Sequence, residues 1–348
     1  MDKNSYSCIQ VSTMCKYKND YLCFMRDLNI LCLISHKDGT IKVLCFLPEK
    51  EKNRLIDKIL CWRNYACLVP MNSDHLYLFD LMKNDLISID IPGVQLVKYF
   101  KFFNGCIYND NLYLVGCYYP GLIKIELLTR KVKKIDIYNE IIESLDGKMP
   151  PFTRKSIVMK DHFIYIASAK KNIVIIVDLD NDTYYYENVG RDTSKYYGIA
   201  WDGKAFWLAP FKGTAITRWI PNCSVEEIDV SKFNVSDNIF SGISCYKDKI
   251  YLFALESDYS LEYDYQTKKG KLIHTGSEFF YEELNDEIVY QSKDGIIHII
   301  NDKEKILIPN LKEIYEMVSK SDNKWDYYMK ESRTFQIDSY INELCKED

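Results

Sequence analysis

Tyr108-Asn109-Asp110-Asn111-Leu112-Tyr113-Leu114-Val115 reads as a tight turn feeding an apolar strand, and it decides the fold because the phrase returns six more times. A bulky residue, two or three turn formers and a short apolar run also appear at Tyr17 to Tyr21, Trp62 to Ala66, Met159 to Phe163, Trp201 to Ala205, Tyr246 to Ile250 and Leu284 to Ile288. Asn, Asp and Gly suit such places because they tolerate left-handed or side-chain-bonded turn geometry. Anchored on residues 21, 66, 112, 163, 205, 250 and 288, the phrases have a mean spacing of about 44 residues, the length of a four-stranded unit in a ring-shaped repeat fold.

A second phrase lies inside each repeat. The first strand leads through a polar loop to another, as in Leu122-Ile123-Lys124-Ile125 or Leu261-Glu262-Tyr263-Asp264, with the period-two alternation of a sheet that buries one face. That strand ends in a recurring turn: Asp80-Leu81-Met82-Lys83-Asn84, Glu126-Leu127-Leu128-Thr129-Arg130, Asp178-Leu179-Asp180-Asn181-Asp182, Trp219-Ile220-Pro221-Asn222-Cys223 and Asp264-Tyr265-Gln266-Thr267-Lys268. A charged strand follows, for example Lys131-Val132-Lys133-Lys134-Ile135, and its charges protect a sheet edge. A parallel β-helix would need coils of about half this length, and a sandwich would not repeat its turns. The expected fold is all-β: a seven-bladed β-propeller of four-stranded antiparallel blades.

The double phrase resembles the kelch-like and Trp-Asp-repeat β-propellers over about residues 8–308. It departs from both in detail. No blade carries the kelch Gly-Gly doublet, Val115-Gly116-Cys117 being the nearest approach, and Trp201-Asp202 opens a hairpin instead of closing a strand. The resemblance implies a fold, and implies that binding sites gather where the loops between second and third strands and the connections between blades share one face around the channel. It does not bring either family's partners with it.

Two stretches break the rhythm. Residues 138–151 are expected to form a helical insertion between blades three and four, with Gly147 as its C-terminal cap and Pro150-Pro151 preventing continuation. Residues 309–348, following a propeller of residues 1–308, read as a helical C-terminal tail packed on it. Asn310 stands as cap with Glu313 in capping-box position, and Leu311, Ile314, Tyr315 and Val318 form an apolar stripe.

The 348 residues are 47% hydrophobic and 27% charged, with a net charge of -5, so a large core is available and no global basic field exists. Neither a nucleic-acid nor a membrane partner is expected. No apolar run approaches the ~18 residues of a membrane span, and a soluble cytoplasmic chain is expected. The 12 cysteines include no Cys-x-x-Cys, which disfavours zinc ribbons and thioredoxin-like sites. Cys23, Cys32, Cys45, Cys61 and Cys67 lie in apolar runs and read as reduced core thiols.

Chemical motifs are absent. The one Gly-x-x-x-x-Gly-Lys match, Gly198 to Lys204, is followed by Ala205 and feeds a strand instead of a helix. The five histidines show no pair at i and i+4, His162 reads as a solvated turn residue, and Asp178 to Asp182 lacks the sixth-place Gly and twelfth-place Glu of a calcium loop. No metal site, cofactor or catalytic residue is assigned.

Laid on the repeat, one face of the ring collects Tyr118 and Tyr119 from blade three, Lys170 and Lys171 from blade four, Phe211 and Lys212 from blade five, and Asp258 and Tyr259 from blade six, with Arg154, Arg191 and Lys195 from the connections between blades. A cationic and aromatic gathering on a net negative chain suits an anionic ligand. Trp207 and Trp219 read as core. Two functions follow as expectations. One is a non-catalytic module that binds a protein segment or an anionic ligand on the loop face. The alternative is a hydrolase, lyase or transferase acting on a small anionic or carbohydrate substrate at the channel mouth, with Asp258, Tyr118, Tyr119 and Lys212 as candidate acids and bases. Oligomeric state is left open.

Overall fold

The computed structural model describes residues 10–26, 28–49, 54–137, 152–235, 240–254, 257–275, 280–284, 287–292, 295–301, 305–310 and 314. They form 28 strands in seven four-stranded sheets, each antiparallel and in chain order from inner to outer strand. The expected helical insertion at 138–151, and the C-terminal tail apart from 309, 310 and 314, lie outside the described residues.

Each blade is one contiguous stretch of chain. The inner strands are β1 (Val11–Tyr17), β5 (Ile56–Trp62), β9 (Phe102–Tyr108), β13 (Ile157–Lys160), β17 (Tyr196–Trp201), β21 (Phe240–Tyr246) and β25 (Phe280–Leu284). The repeat anchors sit in or beside the second strands β2 (Asp20–Met25), β6 (Tyr65–Pro70), β10 (Asn111–Gly116), β14 (Phe163–Ala167), β18 (Phe206–Pro210), β22 (Lys249–Ala254) and β26 (Glu287–Gln291). β1 lies beside both β5 and β25, which closes the ring.

The turn chemistry explains the repeat. At the first hairpins Lys18, Arg63, Asn109, Asp161 and Lys247 have positive φ, the geometry that two-residue hairpins require. In the second turns the left-handed residue is Asn84, Arg130, Asp182, Asn222 or Lys268. Three of these turns are held by the Asp that opens them. Asp80 Oδ1 accepts from the backbone N–H groups of Met82 and Lys83, Asp178 Oδ1 from those of Asp180 and Asn181, and Asp264 Oδ1 from that of Thr267. A carboxylate spanning its own turn explains why Asp recurs there.

Burial follows the seams. An apolar cluster lies at each junction of neighbouring blades, from blades one and two (Leu22, Phe24, Ile59, Leu68) round to blades seven and one (Met14, Cys23, Val289, Ile299). Trp207 and Trp219 are both in this core. Outer strands such as Thr183–Asn188 and Ser224–Asp229 are largely exposed. Among the described residues no strand is exchanged between the first and last blades. Their junction is made instead by Tyr21 Oη donating to Glu287 Oε1 at 2.7 Å, the Val11 N–H donating to Gln291 Oε1 at 2.8 Å, a parallel bridge between Thr40 and Asn310, and Ile314 buried among both blades' apolar residues.

Candidate functional site

Because inner strands run away from the connections between blades, their first residues and the loops between second and third strands lie on the same face. There the structure opens a cleft of about 700 Å³ between blades four and five. Lys170 comes from the loop after β14, Arg191 and Lys195 from the connection into blade five, and Phe211 and Lys212 from the loop after β18. Tyr196, Thr217, Glu227 and Asp229 complete the wall.

Four cationic side chains thus face two carboxylates, and both carboxylates are occupied. Glu227 Oε2 lies 2.7 Å from Arg191 Nε. Asp229 accepts from Thr214 Oγ1, the Ser231 N–H and Ser231 Oγ, each at 2.9 Å, and these bonds, led by the Ser231 N–H, hold it below the ordinary carboxylate range. The cleft floor is preformed. Tyr196 is buried and donates its hydroxyl to Val189 O at 2.6 Å, and Phe211 stacks on Tyr197 with centroids 5.9 Å apart.

The other residues singled out on this face do not join the cleft. Lys171 is exposed beside it without lining it. Tyr118 is exposed but belongs to an aromatic group with Phe100 in blade three. Tyr119 is a core residue and not a rim residue, since it is 3% exposed, packs on Phe102 and donates its hydroxyl to Pro92 O at 2.8 Å. Asp258 and Tyr259 are exposed in blade six, where Tyr259 stands edge-on to His274. Arg154 turns into the axial channel, with Nε 3.0 Å from Asp57 Oδ2. The gathering therefore spans blades four and five, not three to five, because loop length and side-chain direction differ between equivalent positions.

The channel holds a charged cluster that repeat reading missed. Glu282 of β25, 2% exposed, receives Lys58 Nζ at 2.5 Å and Lys155 Nζ at 2.9 Å, and Thr13 Oγ1 donates to its other oxygen at 3.3 Å. Four blades thus meet on one carboxylate. Burial alone would push the Glu282 carboxyl up, but Lys155, Lys58 and Arg154 together hold it down at about 2. Burial lowers the Lys155 ammonium to about 8 against the pull of Glu282, and Lys155 also rests 4.3 Å from the centre of the Tyr281 ring. The signal was present as charges within or just ahead of inner strands, namely Asp57-Lys58 in β5, Glu282-Glu283 in β25 and Arg154-Lys155 leading into β13.

Gly242 makes room for this cluster. Its φ is 156°, and a Cβ there would stand 1.4 Å from Tyr281 Oη and 3.0 Å from Lys155 Cβ. Gly242→Ala is expected to displace Tyr281 from Lys155 and lower stability by more than the ~1 kcal/mol of an ordinary Gly-to-Ala change, read by denaturant unfolding.

His162, Asp178 and Asp180 are also brought together, their nearest ligand atoms all within 4.8 Å of one another. His162 Nδ1 stands 4.0 Å from Asp180 Oδ2, but Asp178 is already engaged by its own turn.

No known protein family and no characterised protein matches the chain by sequence. Solved structures do. The chain is similar to virginiamycin B lyase from Staphylococcus aureus, with TM-score 0.66, 11% identity, and coverage of 85% of this chain and 96% of that one. It is similar to BamB from Moraxella catarrhalis (TM-score 0.54, 11% identity, covering 84% and 83%) and to a chain of a mitotic checkpoint complex (TM-score 0.61, 8% identity, covering 85% and 88%). At such identities the likeness is one of fold, and together with the closed ring of seven four-stranded sheets it makes this chain a seven-bladed β-propeller.

Proposed function

We propose that the chain is a non-catalytic binding propeller that seats a carboxylate- or phosphate-bearing group, on a protein segment or a small ligand, in the cleft between blades four and five. The observation that supports this reading is the convergence of Lys170, Arg191, Lys195 and Lys212 on one preformed cleft whose two carboxylates are already engaged. A volume of about 700 Å³ falls within the range of small-ligand sites. Lys and Arg gathered around one cleft concentrate anions there although the whole chain is negative. An enzyme using either cleft carboxylate as its base would need that group unengaged. Asp229, held ionised by three donors, is a poor base, and Glu227 is committed to Arg191. The likeness to both a lyase and a chain of a checkpoint complex leaves this choice to the cleft's own chemistry.

The test is the triple variant Lys170→Glu, Lys195→Glu and Lys212→Glu. Charge-assisted hydrogen bonds contribute about 1.5–3 kcal/mol each, so affinity for citrate or for a phosphorylated acidic peptide should fall at least ~100-fold by calorimetric titration. Binding to the unmodified chain should also weaken with added salt. These lysines lie outside the apolar seams, so the variant should remain folded, checked by circular dichroism alongside the titration. Equal affinity of variant and parent would sink the assignment.

A further inference from the structure

Cys15 of β1 and Cys61 of β5 meet across the seam between the first two blades, their Sγ atoms 3.0 Å apart. They are 46 positions apart in sequence. Both lie toward the hairpin ends of their strands, and so toward the end of the channel opposite the cleft. Cys61 is exposed, and its partner is half-buried.

The separation discriminates between chemistries. Two thiolates sharing a tetrahedral zinc ion, each about 2.3 Å from the metal, stand about 3.8 Å apart, so 3.0 Å leaves no room for an ion between them. It is a thiol-to-thiol hydrogen bond, about 1 Å longer than a disulfide. The bond divides the pair into unequal partners. The hydrogen bond shared with Cys15 lowers the Cys61 thiol below its ordinary value, while the same bond and burial raise Cys15. Elsewhere in the core Cys67, Cys106, Cys117 and Cys245 are all raised by burial, and are poor nucleophiles.

We propose that Cys15 and Cys61 form a peroxide-oxidisable pair that closes to a disulfide across the seam between blades one and two. The Cys61 thiolate attacks one peroxide oxygen. The O–O bond breaks, an S–O bond forms, and the other oxygen leaves as hydroxide. The sulfur loses two electrons and the peroxide gains them. Cys15 Sγ then displaces the hydroxyl from the Cys61 sulfenic sulfur, forming the S–S bond, while its proton departs with that hydroxyl as water. The product ties two neighbouring inner strands covalently and constrains the unfolded chain through the intervening loop.

The experiment treats the full-length protein with stoichiometric hydrogen peroxide, quenches it with catalase, and maps peptides by mass spectrometry without reduction. A cross-linked peptide containing Cys15 and Cys61, with loss of two titratable thiols, is expected. So is a melting temperature raised by several degrees and restored by dithiothreitol. Cys61→Ser should abolish both the cross-link and the shift. Cys15→Ser should leave a Cys61 sulfenic acid that dimedone traps. The proposal is overturned if the unmodified chain shows no cross-link, a cross-link through other cysteines, or Cys61 driven to sulfinic acid with Cys15 still a thiol. The measurement on the unmodified chain stands whether or not either serine variant folds.

Discussion

Glu282→Gln should lower the free energy of unfolding by about 3–5 kcal/mol, the cost of leaving a buried ion pair without one partner. Lys58 and Lys155 donate to this carboxylate at 2.5 and 2.9 Å, and their side chains are only 16% and 12% exposed, so neither can recover full hydration when the charge goes. The amide keeps the shape and leaves two ammonium groups facing each other. Denaturant titration should show a lower midpoint with an unchanged slope. Adding Lys155→Met should return part of the loss, since it removes one of the stranded charges.

The same carboxylate sets a pH signature. Its folded value of about 2 lies below the ordinary 4.5, so its contribution is complete above about pH 4.5 and disappears as pH falls toward 2. The stability gap between the parent and Glu282→Gln should therefore narrow through that window. Lys155 moves stability in the same direction, in a higher pH window. The fold disfavours its protonated form, so its contribution to stability grows as pH rises from about 8 toward 10.5. A gap constant from pH 5 to pH 2 would show that the carboxylate is not held ionised by these lysines.

Trp207→Ala should cost about 3–5 kcal/mol, as expected for removing a fully buried large side chain. Trp207 is 0% exposed and fills the seam between blades five and six, its ring edge-on to Tyr265 at 5.1 Å. Arg218 lies over both rings, 4.7 Å from Tyr265 and 5.9 Å from Trp207. The indole N–H donates to Asp202 Oδ2 at 2.7 Å, and Asp202 Oδ1 accepts from the N–H groups of Lys204 and Ala205. One aspartate thus secures both a hairpin and the aromatic packed against it. Trp207→Phe should cost only about 1–2 kcal/mol, because it keeps most of the burial and loses one hydrogen bond. Equal losses for the two variants would mean that the hydrogen bond, not the packing, dominates.

The recurring turns made the architecture legible because their chemistry is local. An Asp that caps its own turn, as at Asp80, Asp178 and Asp264, must be written in the same few residues that it holds. Half of the face was legible for a related reason: Lys170, Arg191, Lys195, Phe211 and Lys212 lie in loops whose height in the ring follows from the repeat. Side-chain direction does not follow from it. Tyr118 and Tyr119 are neighbours in one loop, yet the first is exposed and the second is buried beneath it. Glu282 and its lysines stayed hidden because their partnership joins positions 127 and 224 residues apart, and spacing along the chain carries no trace of it. Cys61 read as a core thiol from its apolar neighbours, but on an inner strand its sulfur meets Cys15 of the preceding blade near the ring's end, where water reaches it.

That every blade is a single uninterrupted segment, with the first and last blades joined by side chains and one short bridge, has a consequence for how the protein can be cut and rejoined. In propellers fastened by a swapped strand, new ends divide a sheet. Here a cyclic rearrangement of the gene with its breakpoint between any two neighbouring blades would leave all seven sheets covalently whole. In the unrearranged chain the junction of blades seven and one is where strain or heat would first part the circle, through loss of Tyr21 to Glu287 and Val11 to Gln291, without any described strand being pulled from its sheet.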